Sequence, residues 1–167
     1  MQYVYTIIAV IVAVAAGVAI GYTMKPQITE IIEFNEVPVE LNGYVPLDVD
    51  IVGTNIRLSS NCRLIAFDVT EDQALSISKA LNKTSPPRPL GHDIFGDVIE
   101  QFEIKLLAAK IDRFENGIYY ARMIFQFRNS ALEVDARPSD TIAMALRANT
   151  PLHIDEDILN AQGTKIC

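Results

Sequence analysis

The dipeptide Asn116-Gly117 lies between two long extended runs, Ile104 to Phe114 and Ile118 to Arg128, and restricts the fold more tightly than any other local signal. Asn-Gly accepts positive φ at both central positions of a two-residue turn, and the twist of that turn matches the strands on either side. A β-hairpin is predicted. Alternation then places Tyr119, Ala121, Met123, Phe125 and Phe127 on one face, against Tyr120, Arg122, Ile124, Gln126 and Arg128 on the other. Asn129-Ser130 allows a second tight turn into a strand that ends at Asp135. Upstream, Leu47, Val49 and Ile51 alternate with Asp48 and Asp50, and Arg63 to Val69 is another extended run.

Helical spacing appears at three places. Thr70 precedes Glu71 and Asp72 as an N-cap with acids in the first turn, followed by a stripe of Ala74, Leu75, Ile77, Ser78 and Leu81. After a corner at Pro86, Pro87 and Pro89, Ile94, Phe95, Val98, Ile99 and Phe102 recur as one face of a helix over Leu90 to Phe102. Pro138 fixes φ where a third helix can begin, with Ser139 or Asp140 serving its free N–H groups and Ile142, Ala143 and Leu146 as its apolar stripe. The expected fold is α+β: a mixed, mainly antiparallel sheet carrying helices.

Residues Tyr3 to Met24 contain no charged side chain. About 20 apolar residues span the ~30 Å hydrocarbon core of a bilayer, and Tyr3, Tyr5 and Tyr22 stand near the two ends where amphipathic rings prefer to sit. This predicts a transmembrane anchor over 1–24, preferred to a cleavable signal peptide because no basic n-region precedes it. Ala9, Ala13, Gly17 and Gly21 recur every four residues, as a helix-association strip for a homo-oligomer or as the ordinary abundance of small residues in such helices. Residues 25–42 hold Glu30, Glu33, Glu36 and Glu40 with Pro26 and Pro38, and read as an acidic linker to one domain over 43–167. Lys25 alone marks the positive side, so a single-pass protein with its C-terminal domain in the cytoplasm is expected. A glycan at the sequon Asn82-Lys83-Thr84 would place that domain outside instead.

Fourteen basic against 21 acidic residues leave a net charge of −7, which argues against tight nonspecific binding of polyanions through phosphate contacts. Cys62 and Cys167 form no Cys-x-x-Cys pair, so neither a zinc site nor a disulfide framework is implied, and each is expected as a thiol.

Several runs, in order, carry a resemblance. They are Pro86 to Asp93 (PPRPLGHD), Tyr120-Ala121-Arg122, Arg137 to Asp140 (RPSD), Ala143 to Arg147 (AMALR), Thr150-Pro151, and Asp155-Glu156 before Ile158-Leu159, with a weaker match at Glu71 and Gln73-Ala74. Over roughly Leu47 to Leu159 the chain resembles the bifunctional nuclease domain family, as an archaeal-like, membrane-anchored member. Gly91 stands where the family usually has Thr or Ser, and Asp68 where it commonly has Gly. The resemblance implies hydrolysis of RNA and DNA phosphodiester bonds.

Such chemistry needs a held phosphate, an activated water and a stabilised leaving oxygen. His92 is the candidate proton carrier, and Asp93, Asp135 and Asp140 are candidate catalytic acids or ligands of Mg²⁺ or Mn²⁺. Arg88, Arg137 and Arg122 are candidate substrate-binding cations. Each has a plainer structural counterpart: Asp93 and Asp140 as acids complementing helix N-termini, Arg137 as an ion-pair partner of Asp135, His92 as a cap, Arg122 and Arg128 as a solvated stripe. A noncatalytic module binding a nucleotide, nucleic acid or protein at the membrane is the alternative function, and a structural subunit is a third.

Overall fold

A computed structural model describes residues 37–167. The predicted anchor, its Ala/Gly strip and most of the acidic linker lie outside the described residues, and among the described residues no helix is long and apolar enough to cross a membrane. The strands are β1 (Tyr44–Pro46), β2 (Asp48–Val52), β3 (Asn55–Ser60), β4 (Arg63–Asp68), β5 (Lys105–Glu115), β6 (Ile118–Phe127), β7 (Ser130–Ala136), β8 (Leu152–Asp155) and β9 (Thr164–Lys165). The helices are α1 (Glu71–Leu81), α2 (Gly91–Gln101), α3 (Pro138–Ala148) and α4 (Glu156–Gln162).

Two sheets form. One runs β1-β8-β5-β6-β7 and the other β2-β3-β4-β9. All pairs are antiparallel except β5 with β8, so the mixed, mainly antiparallel α+β class holds. The predicted hairpin is β5–β6, with Glu115 opposite Ile118 and positive φ at both Asn116 and Gly117. Phe127 pairs with Ser130, so the second turn falls on Arg128-Asn129, one residue earlier than expected, with Arg128 in the left-handed region. The short strands β1, β3, β8 and β9 and helix α4 carry weaker periodic signals and are added by the structure.

The main core gathers Ile56, Leu58 and Ile65 of the smaller sheet, Ala109, Ile111, Ala121 and Ile154 of the larger, and Ile77 and Ile142 of α1 and α3. Helices α1 and α3 pack against each other over this core. Helix α2 departs from expectation. Of its apolar stripe only Ile99 is buried, while Ile94, Phe95, Val98 and Phe102 are exposed. The helix docks through its first turn, Ile99 and Phe95, whose ring meets Phe125 of β6 edge-on at 5.8 Å, while Ile94, Val98 and Phe102 stay exposed.

The cysteines also depart from expectation. Strand β9 pairs with the start of β4, and the Ile166 N–H donates to the Cys62 carbonyl at 2.9 Å. This pairing leaves the Cys62 and Cys167 Cα atoms 5.3 Å apart, and the two residues form a disulfide rather than two thiols. Spacing along the chain carried no sign of that approach, because a late antiparallel pairing created it.

Candidate functional site

Three helix starts converge on one polar cluster. Helix α1 begins in a capping box: the Thr70 hydroxyl accepts from the Gln73 N–H, and the Gln73 side chain accepts from the Thr70 N–H. Ser76 follows one turn later, on the face turned toward α2. Helix α2 begins without a hydroxyl cap, as Gly91 leads one to expect, and Asp93 closes its first turn by accepting from the Leu90 N–H at 2.8 Å. Helix α3 begins at Pro138 with Arg137 as N-cap, and neither Arg137 nor Ser139 caps it through a side chain. Ser139 is turned inward and only 5% exposed.

Side chains from these starts form one continuous chain of hydrogen bonds. Arg137 grips both oxygens of Asp140, Nε to Oδ2 at 2.7 Å and Nη2 to Oδ1 at 3.0 Å. Asp140 Oδ1 also meets His92 Nε2 at 3.2 Å, and His92 Nδ1 lies 2.9 Å from Ser76 Oγ. Arg147 donates through Nη2 to Ser76 Oγ at 3.2 Å, through Nε to Asp93 Oδ1 at 2.7 Å and through Nη1 to the Ala143 carbonyl at 2.9 Å. Donor and acceptor bookkeeping sets the direction. The Asp140 carboxylate can only accept, so Nε2 carries the hydrogen; in the neutral imidazole Nδ1 then accepts from the Ser76 hydroxyl, whose lone pairs take the Arg147 donor. The Pro-rich corner and the Arg-Pro-Ser-Asp corner therefore meet through His92 and Asp140.

Burial tends to raise the pKa of Asp93, but the Leu90 N–H and the Arg147 guanidinium, with a smaller contribution from His92, outweigh it and hold the carboxyl below its ordinary value. Ser76, His92 and Asp140 have the connectivity of a nucleophilic triad. Ser76 is only 3% exposed and is also bound by Arg147, so no substrate atom reaches its oxygen.

The remaining candidates are placed differently. Arg137 is 69% exposed on its side chain and pairs with Asp140, not with Asp135 as the strand-end reading expects. Asp135 is exposed and has no hydrogen bond or ion pair among the described residues. Arg88 is exposed in the corner before α2 and is likewise unpaired among them. Arg122 bridges Asp112 through Nε and Glu133 through Nη1, away from the cluster. His153 is half-buried in β8, with Nδ1 unpaired. Ser76 and Arg147 are the members that motif reading did not nominate. Arg147 lies seven residues after Asp140, nearly two turns along the same face of α3, and that spacing was the available signal.

Asp93, Asp135 and Asp140 do not converge as a metal cage, and among the described residues no three His, Cys, Asp or Glu side chains are grouped to hold an ion. The donor chemistry agrees: Asp93 and Asp140 each bind an arginine. The side chains as arranged do not fit a resident divalent ion.

Two cavities flank the cluster. One of about 900 Å³, floored by Ile99 and Met144, reaches Asp93 and Arg147. The other, about 710 Å³, opens between the β5–β6 hairpin tip, the end of β4 and the start of α3, and reaches Asp135, Arg137 and Asp140. His92 lines neither cavity; its ring nitrogens link Asp140, on the lining of the second, to Ser76.

The profile of the bifunctional nuclease domain matches residues 57–166, the stretch that contains the entire cluster. The chain belongs to the bifunctional nuclease domain family. It is 33% identical over 111 residues to an uncharacterized protein of Mycobacterium tuberculosis, covering 66% of each chain. It is 23% identical over 106 residues to proteins named Bifunctional nuclease 1 in Oryza sativa subsp. japonica and Bifunctional nuclease in Oryza minuta, covering 62% of this chain and 32% of theirs. The chain thus spans just under two thirds of the mycobacterial relative and about one third of the rice proteins. Of the residue runs that suggested the family from sequence, Pro86 to Asp93 and the α3 motif supply members of the cluster, and Glu71 with Gln73-Ala74 opens the helix that carries Ser76.

Proposed function

We propose that this domain hydrolyses phosphodiester bonds of RNA or DNA at the mouth of the cavity bordered by Arg137 and Asp140. The supporting observation is the Arg137–Asp140–His92 chain, which sets an exposed guanidinium, a carboxylate and an imidazole in series. Arg137 and the unpaired Arg88 supply positive charge for the phosphate. In this reading a His92 ring nitrogen exchanges its Asp140 or Ser76 partner for the attacking water or the leaving oxygen, and takes a proton from the one or returns it to the other. Asp93 acts as a positioning residue: by holding Arg147 it locks α2 against α3 and so sets the His92 ring. The family and the named rice nucleases make nucleic acid the substrate class.

The full-length chain in mild detergent should cleave labelled single-stranded RNA or DNA. His92→Ala and Asp140→Asn should each lower the rate by roughly 100-fold or more, the range for a lost proton-transfer group, with unchanged melting. Wild-type rates in both variants would refute the assignment. Reactions are run with and without Mg²⁺ or Mn²⁺, because a hydrated ion can rest on one or two carboxylates plus substrate phosphate, and Asp135 borders the same cavity.

One observation favours a noncatalytic binding module instead: both His92 nitrogens already have protein partners. Binding without turnover in every preparation would support that reading. We also propose that the domain is tethered to a membrane by residues 1–24 as a single-pass protein. Lys25 argues for the cytoplasmic side, whereas the Cys62–Cys167 cross-link is the kind found on an oxidising side.

A further inference from the structure

The lining of the 710 Å³ cavity is both aromatic and acidic. Phe67 and Tyr119 contribute rings whose centroids are 5.8 Å apart, and Tyr120, on the opposite face of β6 from Tyr119, is covered by Arg113 at 3.9 Å. Asp68 and Asp135 line the same cavity, and neither has a cationic partner among the described residues. Asp68 Oδ1 accepts from the Asn55 amide at 3.1 Å, while its Oδ2 has no partner among them. Ser139 lines the same space although it is 5% exposed, and its hydroxyl also makes no hydrogen bond among the described residues. The volume falls within the range of small-molecule sites.

Asp68 and Asp135 repel phosphate whereas Arg137 on the same lining attracts it, so the phosphate belongs beside Arg137 and the rest of the space is left for an uncharged group. A flat ring with N–H donors on its edge suits that lining: aromatic surface for its faces, carboxylate and hydroxyl oxygens for its donors. Guanine offers an N–H and an amino group side by side. Uracil offers one N–H between two carbonyls, which a carboxylate repels.

We propose that this cavity is a nucleobase subsite with Asp68 as its specificity-determining residue, favouring guanine over uracil in single-stranded substrate. Its place beside Arg137 and Asp140 makes the held base a neighbour of the scissile phosphate, and to that extent it rests on the hydrolytic reading. A base seated there must leave its stack and pair, so duplexes are poorer substrates.

The test is calorimetric titration of the full-length chain with 5′-GMP and 5′-UMP, beside cleavage of single-stranded oligonucleotides that differ in one base. GMP should bind roughly tenfold tighter, in line with one or two hydrogen bonds to a charged acceptor. Asp68→Ala should bring GMP to the level of UMP. Asp68→Asn, which keeps the Asn55 contact and adds a donor, should shift the ranking toward UMP. Equal affinities in the wild type, or an unchanged ranking in both variants, would overturn the subsite. GMP preference without cleavage would leave the subsite standing and remove the hydrolytic reading, whereas cleavage without base preference would do the reverse.

Discussion

Arg147 ties three elements together from one side chain, by its bonds to Asp93, Ser76 and the Ala143 carbonyl. Arg147→Met keeps the length of the stem but strands Asp93 and Ser76, and should cost about 1–3 kcal/mol in denaturant unfolding, the range for leaving partly buried hydrogen-bond partners unmatched. Arg147→Lys should recover only part of that loss, since a point charge cannot serve three acceptors in one plane. The same pair sets an acid limit. The Asp93 carboxyl is depressed in the folded state, so its contribution is complete above the unfolded value near ~3.9 and is lost as pH falls through the lower folded value. Asp93→Asn should therefore lower the melting temperature at neutral pH and flatten its decline at acid pH, read by melting scans across that range. At this scale the sequence was only partly legible. His92, Asp93 and Asp140 could be nominated because charged residues beside Pro mark helix starts, but Arg137 chose Asp140 over Asp135, and Arg122 was taken by Asp112 and Glu133. The partners of Arg122 depend on cross-strand register, which is not a local property, whereas Arg137 takes the acid three residues on in its own helix start.

Helix α3 is the element around which the domain is organised, with Ile142, Ala143, Met144 and Ala145 all buried. Ile142→Ala, at a position with no exposure, should cost about 2–5 kcal/mol and reduce cleavage only in proportion to the unfolded fraction. The disulfide is a second element-level support, joining the tip of the β3–β4 turn to the strand β9. Reduction should lower stability by about 2–5 kcal/mol, because it frees a loop of 105 residues in the unfolded chain. Maleimide labelling of the unreduced, denatured protein checks the bond directly: neither cysteine should react until reductant is added. Helices α1 and α3 and the β5–β6 hairpin were legible because caps, Pro and Asn-Gly act within a few residues. Helix α2 was legible as a helix but not in its orientation. Its apolar stripe reads as core, yet Ile94, Val98 and Phe102 face outward, since the anchoring contacts of its first turn decide how it sits.

For the whole molecule, the net charge of −7 and the few free arginines set how nucleic acid is held. With Arg137 and Arg88 as the phosphate contacts, the affinity for single strands should fall with salt at a log–log slope of only about −1 to −2, measured by titration at several salt concentrations. A steep slope would mean a basic surface elsewhere. What the sequence determined by itself was the α+β class, the helix starts and the central hairpin, because these follow from turn chemistry, capping and periodicity over a dozen residues or fewer. Tertiary structure alone decided the Cys62–Cys167 bond, the Ser76–His92–Asp140 connection and the aromatic and acidic lining of the cavity. Each joins residues far apart in the chain, and their meeting depends on how sheets and helices pack against one another.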